Sequence, residues 1–137
     1  MAGDLVLPGP GVYELSANPT TLAWTYTPIT WAVIGDATPN GWNTETEMTY
    51  DRAMHAWKVT LNLVTAGSFK FRANNAWNID FGIETATGRI YYADNPIFGG
   101  GGSKGGLDNL TVPADGNYTV YLDLSNPNSY YYYLEKH

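Results

Sequence analysis

The chain has no cysteine and only two histidines, His55 and His137. A disulfide framework, a thiolate metal site and a cysteine nucleophile are therefore excluded, and two imidazoles cannot build a His-rich metal centre. Charge is also scarce, at 15% of 137 residues, where an average domain carries about 25%. Lys and Arg number seven against thirteen Asp and Glu, giving a net charge of −6 and a pI near 4.6. That excludes a nucleic-acid partner, because phosphate binding needs a basic stripe. No run of about 18 apolar residues is present, so no helical segment spans a membrane. The start, Met1-Ala2-Gly3-Asp4, lacks the basic end and apolar core of a signal peptide, which predicts that any export signal lies outside this chain. Nothing in the residues calls for a cofactor.

What is present is aromatic and polar but uncharged. Eleven Tyr, five Trp and four Phe exceed what one small core requires, so some of these rings are expected at the surface. The length suits one domain: residues 1–10, with Leu5 to Pro10 punctuated by Pro and Gly, read as a linker, and 11–137 as a single module. No window has an amphipathic helical period. Val12 to Ser16, Leu22 to Tyr26, Trp31 to Gly35, Trp57 to Leu63, Phe69 to Arg72, Asn117 to Leu124 and Tyr130 to Leu134 read as short strands divided by turn residues. Trp57, Val59, Leu61 and Leu63 share one face, and the turn Ala66-Gly67 makes this strand a hairpin with the next. The sum is an all-β, immunoglobulin-like antiparallel β-sandwich of seven to nine short strands. A closed barrel is the alternative, since strand number does not settle closure.

The stretch Phe69 to Gly82, FKFRANNAWNIDFG, breaks its own pattern. Phe69 and Phe71 alternate with Lys70 and Arg72, giving an aromatic inward face and a basic outward one. Trp77 then arrives among asparagines, out of phase, before Ile79 and Phe81 resume the alternation. Trp42, in Pro39-Asn40-Gly41-Trp42-Asn43, is a second out-of-phase indole set among amides. Flat rings beside amides and a guanidinium suit a sugar, whose C–H face stacks on an indole while its hydroxyls meet polar groups. Against this stands the reading that each loop tryptophan folds back to plug the sandwich. Trp24, Trp31 and Trp57 are in phase and are assigned to core or sheet-face packing. Arg72 stands at the edge of the Trp77 loop with Lys70 on its face; Arg89 is a looser candidate.

Seven carboxylates, Asp36, Glu45, Glu47, Asp51, Asp80, Glu84 and Asp94, would permit a glycosidase pair. All sit in turn-like text, which favours solvated or turn-capping roles. Gly99 to Gly106 contains Ser103-Lys104, the wrong order for a phosphate loop, and is read as a mobile loop. The formal sequons at Asn109 and Asn117 fall in expected strands.

Trp31-Ala32-Val33-Ile34-Gly35-Asp36-Ala37-Thr38-Pro39-Asn40-Gly41-Trp42, followed by Phe69 to Gly82, closely resembles the C-terminal carbohydrate-binding modules of the SusE and SusF family. Gly116 to Val120 with Leu122-Asp123-Leu124 fits that family's closing strands, and the resemblance runs from about Thr30 to Leu134. It implies a non-catalytic module that captures starch or maltooligosaccharide (α-glucan) for a Sus-like uptake system. The location it implies is the bacterial outer membrane, exposed at the cell surface as part of a lipoprotein anchored outside this chain. Other Sus-like outer-membrane proteins are the implied partners. Carried over by matching segment, the site would comprise Trp42 and Trp77 as the aromatic arc, Arg72 as the basic contact and Asn74, Asn75 or Asn78 as amides, with Arg89 further off. Two other readings stay open: a structural or protein-interaction domain of a glycan-uptake lipoprotein, and the same scaffold binding a different glycan.

Overall fold

The two-residue alternation that runs through the chain becomes eleven strands and no helix among the described residues. A computed structural model describes residues 7–9, 11–93, 104–126 and 128–137. The strands are β1 (Tyr13–Asn18), β2 (Ala23–Pro28), β3 (Trp31–Gly35), β4 (Gly41–Glu47), β5 (Thr49–Asp51), β6 (Ala56–Leu63), β7 (Lys70–Ala73), β8 (Ala76–Glu84), β9 (Arg89–Tyr92), β10 (Gly116–Asp123) and β11 (Tyr131–Lys136). All pairings are antiparallel. Nine strands form the sandwich: a five-stranded sheet ordered β4-β3-β7-β8-β9 and a four-stranded sheet ordered β11-β10-β6-β5. The sheets are separate, so the architecture is a sandwich and not a barrel. Two further strands, β1 and β2, form a two-stranded sheet of their own among the described residues.

The core lies where the in-phase residues of the two sheets meet. Trp31, Val33, Phe71 and Phe81 enter from one side, and Trp57, Leu61, Leu63, Tyr118, Val120 and Leu122 from the other. Trp31 stacks on Phe81 with centroids 4.8 Å apart, while Phe71 meets Tyr132 and Phe81 meets Tyr130 across the gap. Burying each large side chain contributes roughly 1.5–3 kcal/mol. β3 is buried on both faces, as a strand with neighbours on each side and apolar text throughout should be.

Among the described residues, no second layer covers the hairpin β1–β2. Tyr13, Leu15 and Ala17 share a face with Trp24 and Tyr26 by register, and Leu15, Trp24 and Tyr26 are exposed. Of the three in-phase tryptophans, only Trp31 and Trp57 enter the core; Trp24 lies on this exposed face. Leu110, expected in a strand, makes only an isolated bridge to Phe69, and Asp108 one to Ile83. This segment fills the gap just before β7 begins, between Phe69 and Ile83 of β8. Asp94 and residues 99–103 of the glycine run lie outside the described residues, as do residues 1–6 and 10 of the expected linker.

Gly35 ends β3 with φ of 148°, and a β-carbon there would run into the Ser68 carbonyl oxygen and the Phe69 α-carbon. Gly88 also has positive φ, 72°, but open space around it. Gly35→Ala should therefore lower the unfolding free energy by about 3 kcal/mol and Gly88→Ala by only about 1 kcal/mol. Urea denaturation of both variants checks the contrast, and equal costs would contradict it.

Candidate functional site

The two tryptophans that fit no period occupy breaks in strand register. Ala73 faces Ala76 and Arg72 faces Asp80, so residues 77–79 of β8 have no counterpart on β7. Gly35 faces Gly41 and Val33 faces Thr46, so Ile34 alone opposes residues 42–45 of β4. Extra residues in one strand bulge out of the ladder and re-aim their side chains. Both bulges carry an indole outward. The β7–β8 hairpin turns through Asn74 and Asn75, with φ of 54° and 55°, the paired left-handed geometry of a type I′ turn that asparagine tolerates better than most residues.

Trp42 and Trp77 meet on the outer face of the five-stranded sheet, 5.9 Å between centroids and inclined by 40°. They are 38% and 46% exposed, so neither plugs the sandwich. Such a pair contributes about 0.5–1.5 kcal/mol beyond its buried area and holds each ring against the other before any ligand arrives. Beneath Trp77 lies the Arg72 guanidinium, 4.6 Å from the ring centroid. One face of the indole is thus covered by a cation.

Arg72 lies on the outer side of β7, as its phase predicts, but it is not solvated: only 6% is exposed. Its Nε donates to Glu45 Oε2 at 2.6 Å and its Nη2 to Asn75 Oδ1 at 2.5 Å. Glu45 reaches it from the β4 bulge, across β3, where the neighbour of Arg72 is the small Ala32. Lys70 forms an ion pair with Asp80 on the same face. The floor beneath the two indoles is therefore made of matched charges.

The asparagines divide by role. Asn74 Oδ1 accepts from Thr30 N–H at 2.9 Å and its Nδ2 donates to the Pro28 carbonyl at 3.0 Å, which ties the turn to the β2–β3 connection. Asn75 orients Arg72. Asn78 is exposed beside Trp77 and is the best placed of the three to meet a ligand. Arg89 is brought elsewhere: it pairs with Glu84 at the far end of β8, donates to the Asn128 carbonyl at 2.7 Å and lies over Tyr91. Of the six described candidate acids, Asp36, Glu45, Asp51, Asp80 and Glu84 carry structural work, and Glu47 on β4 has none of these contacts. Asp36 accepts from Ser68 N–H, Asp51 caps a turn and pairs with Lys58, and Glu84 pairs with Lys104. The part sequence reasoning missed is Glu45, named there only as one acid among seven. No local signal marks a partner 27 residues away.

Comparison with known proteins comes to one family. The family model described as "SusF/SusE starch specific CBMs" matches residues 30–131, a span that contains both bulges, the Asn-Asn turn and the strands beneath them. No curated protein and no solved structure matches the chain.

Arg72→Ala would leave Glu45 shielded without its cation and Asn75 without its donor. The loss of one partner from a mostly buried pair costs about 3 kcal/mol, so the variant should unfold at markedly lower urea. Its emission should also shift to longer wavelength as Trp77 loses its support. A variant as stable as the parent would show that the pair does not hold the platform.

Proposed function

The chain belongs to the SusF/SusE family of starch-specific carbohydrate-binding modules, and on that premise we propose that it captures starch or maltooligosaccharide without catalysis. The observation that carries the reading is the inclination of the two indoles. A flat glycan ribbon presents its sugar faces in nearly one plane, whereas an α-glucan chain curves, so successive pyranose faces meet rings set at an angle. Trp42 and Trp77, 40° apart, form such a surface. Asn78 and the free edge of Asn75 stand where hydroxyls would reach, and Arg72 acts by fixing Trp77 from below.

The role follows from this geometry. A shallow platform buries little area, and hydroxyls exchange water for protein at small net gain, so affinity is modest. Retention at a cell surface is then a matter of several modules acting on one chain of glucan. A bacterial outer-membrane location, anchored through sequence outside this chain and serving a Sus-like uptake system with its other outer-membrane proteins, is the setting that fits a binder of this kind. The exposure of both indoles supports a ligand platform over a purely structural domain. The engagement of Asp36, Glu45, Asp51, Asp80 and Glu84 in caps and ion pairs supports binding over hydrolysis.

Titration with maltoheptaose, followed by tryptophan fluorescence, tests the reading. The parent should show a saturable change, and Trp77→Ala or Trp42→Ala should weaken binding at least about tenfold, the equivalent of about 1.4 kcal/mol. No saturable change in the folded parent would remove the α-glucan claim and send the search to other glycans.

A further inference from the structure

The hairpin β1–β2 is a ribbon with two chemically distinct faces. By register one face carries Tyr13, Leu15, Ala17, Trp24, Tyr26 and Pro28, and the other Glu14, Ser16, Asn18, Ala23, Thr25 and Thr27. Such alternation belongs to a strand pair that packs its apolar side on a second layer. Here Leu15 is 51%, Trp24 52% and Tyr26 39% exposed, and among the described residues no element covers them. The ribbon also lies outside residues 30–131, the span matched by the family model, so it is an addition to the matched module.

The ribbon is fixed at both ends. At its tip Asn18 Oδ1 accepts from the Thr20 and Thr21 N–H groups, and the Asn18 carbonyl accepts from Leu22 N–H. Leu22 itself is held at φ 58°, a conformation that a leucine takes only under constraint. At the root Ile29 N–H donates to the Val12 carbonyl, and Asn74 holds Pro28 and Thr30. Tyr13 meets Tyr26 edge-on, 5.6 Å between centroids. An apolar face already ordered in this way costs little entropy to bind. Its chemistry separates the candidate occupants. A sugar needs polar side chains beside the rings, as the indole platform has, and this face has Leu15 and Ala17 instead. An anionic lipid surface needs basic groups, and Leu15 to Gly35 contains no charged residue.

We propose that this face is an interface with a second copy of the chain, in which two ribbons pack apolar face to apolar face about a two-fold axis. In such a contact each patch meets itself, so charges near the axis face their own sign. A protein of net charge −6 meets itself with least repulsion through a surface such as this one, uncharged from Leu15 to Gly35. Two such layers about 10 Å apart make a four-stranded miniature sandwich, which supplies the packing that a lone hairpin lacks. The exposed parts of Leu15, Trp24 and Tyr26 amount to roughly 300 Å² per copy, less than the ~800 Å² per partner of a standard interface. The dimer therefore forms at high protein concentration and dissociates on dilution. It carries two indole platforms, and on the glycan reading above it would hold one glucan chain at two points; the interface itself does not rest on that reading.

The test is sedimentation equilibrium of the full chain from about 5 µM to about 500 µM, with ¹⁵N NMR of the five tryptophan indole N–H groups over the same range. The parent should pass from monomer to dimer, with the Trp24 signal shifting as it does so and Trp31 and Trp57 unmoved. Trp42→Ala/Trp77→Ala should associate as the parent does, which separates this contact from the platform. Leu15→Lys and Leu15→Glu should each weaken association at least about tenfold, since like charges then meet across the axis, and an equimolar mixture of the two should recover it. That recovery distinguishes a contact between copies from a ribbon that has come apart. A monomer throughout the range overturns the proposal, as does a dimer indifferent to both Leu15 variants or a mixture that stays monomeric. A Trp24 shift produced at the lowest protein concentration by phosphatidylcholine vesicles or by maltotriose, with no dependence on protein concentration, assigns the face to lipid or glycan and overturns it too. Failure of the platform reading would appear separately, as Trp42 and Trp77 signals unmoved by maltoheptaose in the parent.

Discussion

A guanidinium shut away on the outer face of a sheet is the constraint around which this surface is arranged. Arg72 is tolerated at its depth because a carboxylate, an amide oxygen and an aromatic face all meet it; a buried cation without such partners would cost several kcal/mol. Each partner needs its own backbone irregularity. Glu45 reaches Arg72 because β4 bulges and because Ala32, between them on β3, has almost no side chain. Asn75 reaches it from a left-handed turn position. Trp77 covers it because β8 breaks register three residues after the turn starts. The charge network and the aromatic platform are therefore one construction, and the strands on either side of β3 are bent to make it.

How much of this was legible in the chain depends on range. Strand phase is local, so Phe69 and Phe71, the β6 series Trp57, Leu61 and Leu63, and the doubly buried β3 could be read directly from period 2, and all enter the structure as that reading expects. Trp42 and Trp77 were legible as interruptions. An indole that no period buries marks a break in the ladder, and both breaks are there. Depth was not legible: phase places Arg72 on the outer side of β7 but says nothing of Glu45 folding over it. That contact depends on the β3–β4 register, which is set by the turn after Gly35. Trp24 alternates as cleanly as Trp57, yet phase alone cannot tell a hairpin that stands apart from a strand inside a sandwich. Arg89 lies close to Trp77 in sequence, but β8 is straight after its bulge and carries the chain to its far end before β9 begins.

Charge is used sparingly and locally. Lys58, Lys70, Arg72 and Lys104 each meet an acid on a neighbouring segment, and Asp36, Asp51 and Asp115 accept from backbone N–H groups. Groups so engaged give the surface specificity of shape without a strong field near the indoles. A neutral polymer gains nothing from such a field. What it can use is rigid apolar area at low entropic cost, which is what paired aromatic rings already in contact supply.

The Asn-Asn turn is where the two ends of this argument meet. Asn75 fixes Arg72, and through it Trp77. Asn74, one residue earlier, holds Pro28 and Thr30 with both ends of its amide, and Ile29 between them packs against the core. A type I′ turn here is required twice over: two left-handed residues are needed to close the hairpin, and both side chains must be amides to bind in opposite directions. Glycine would satisfy the backbone and leave Arg72 and the β2–β3 connection without their partners. Alanine would satisfy neither. The choice of asparagine at both positions therefore reflects the surface the hairpin builds on each side of it as well as the turn it makes.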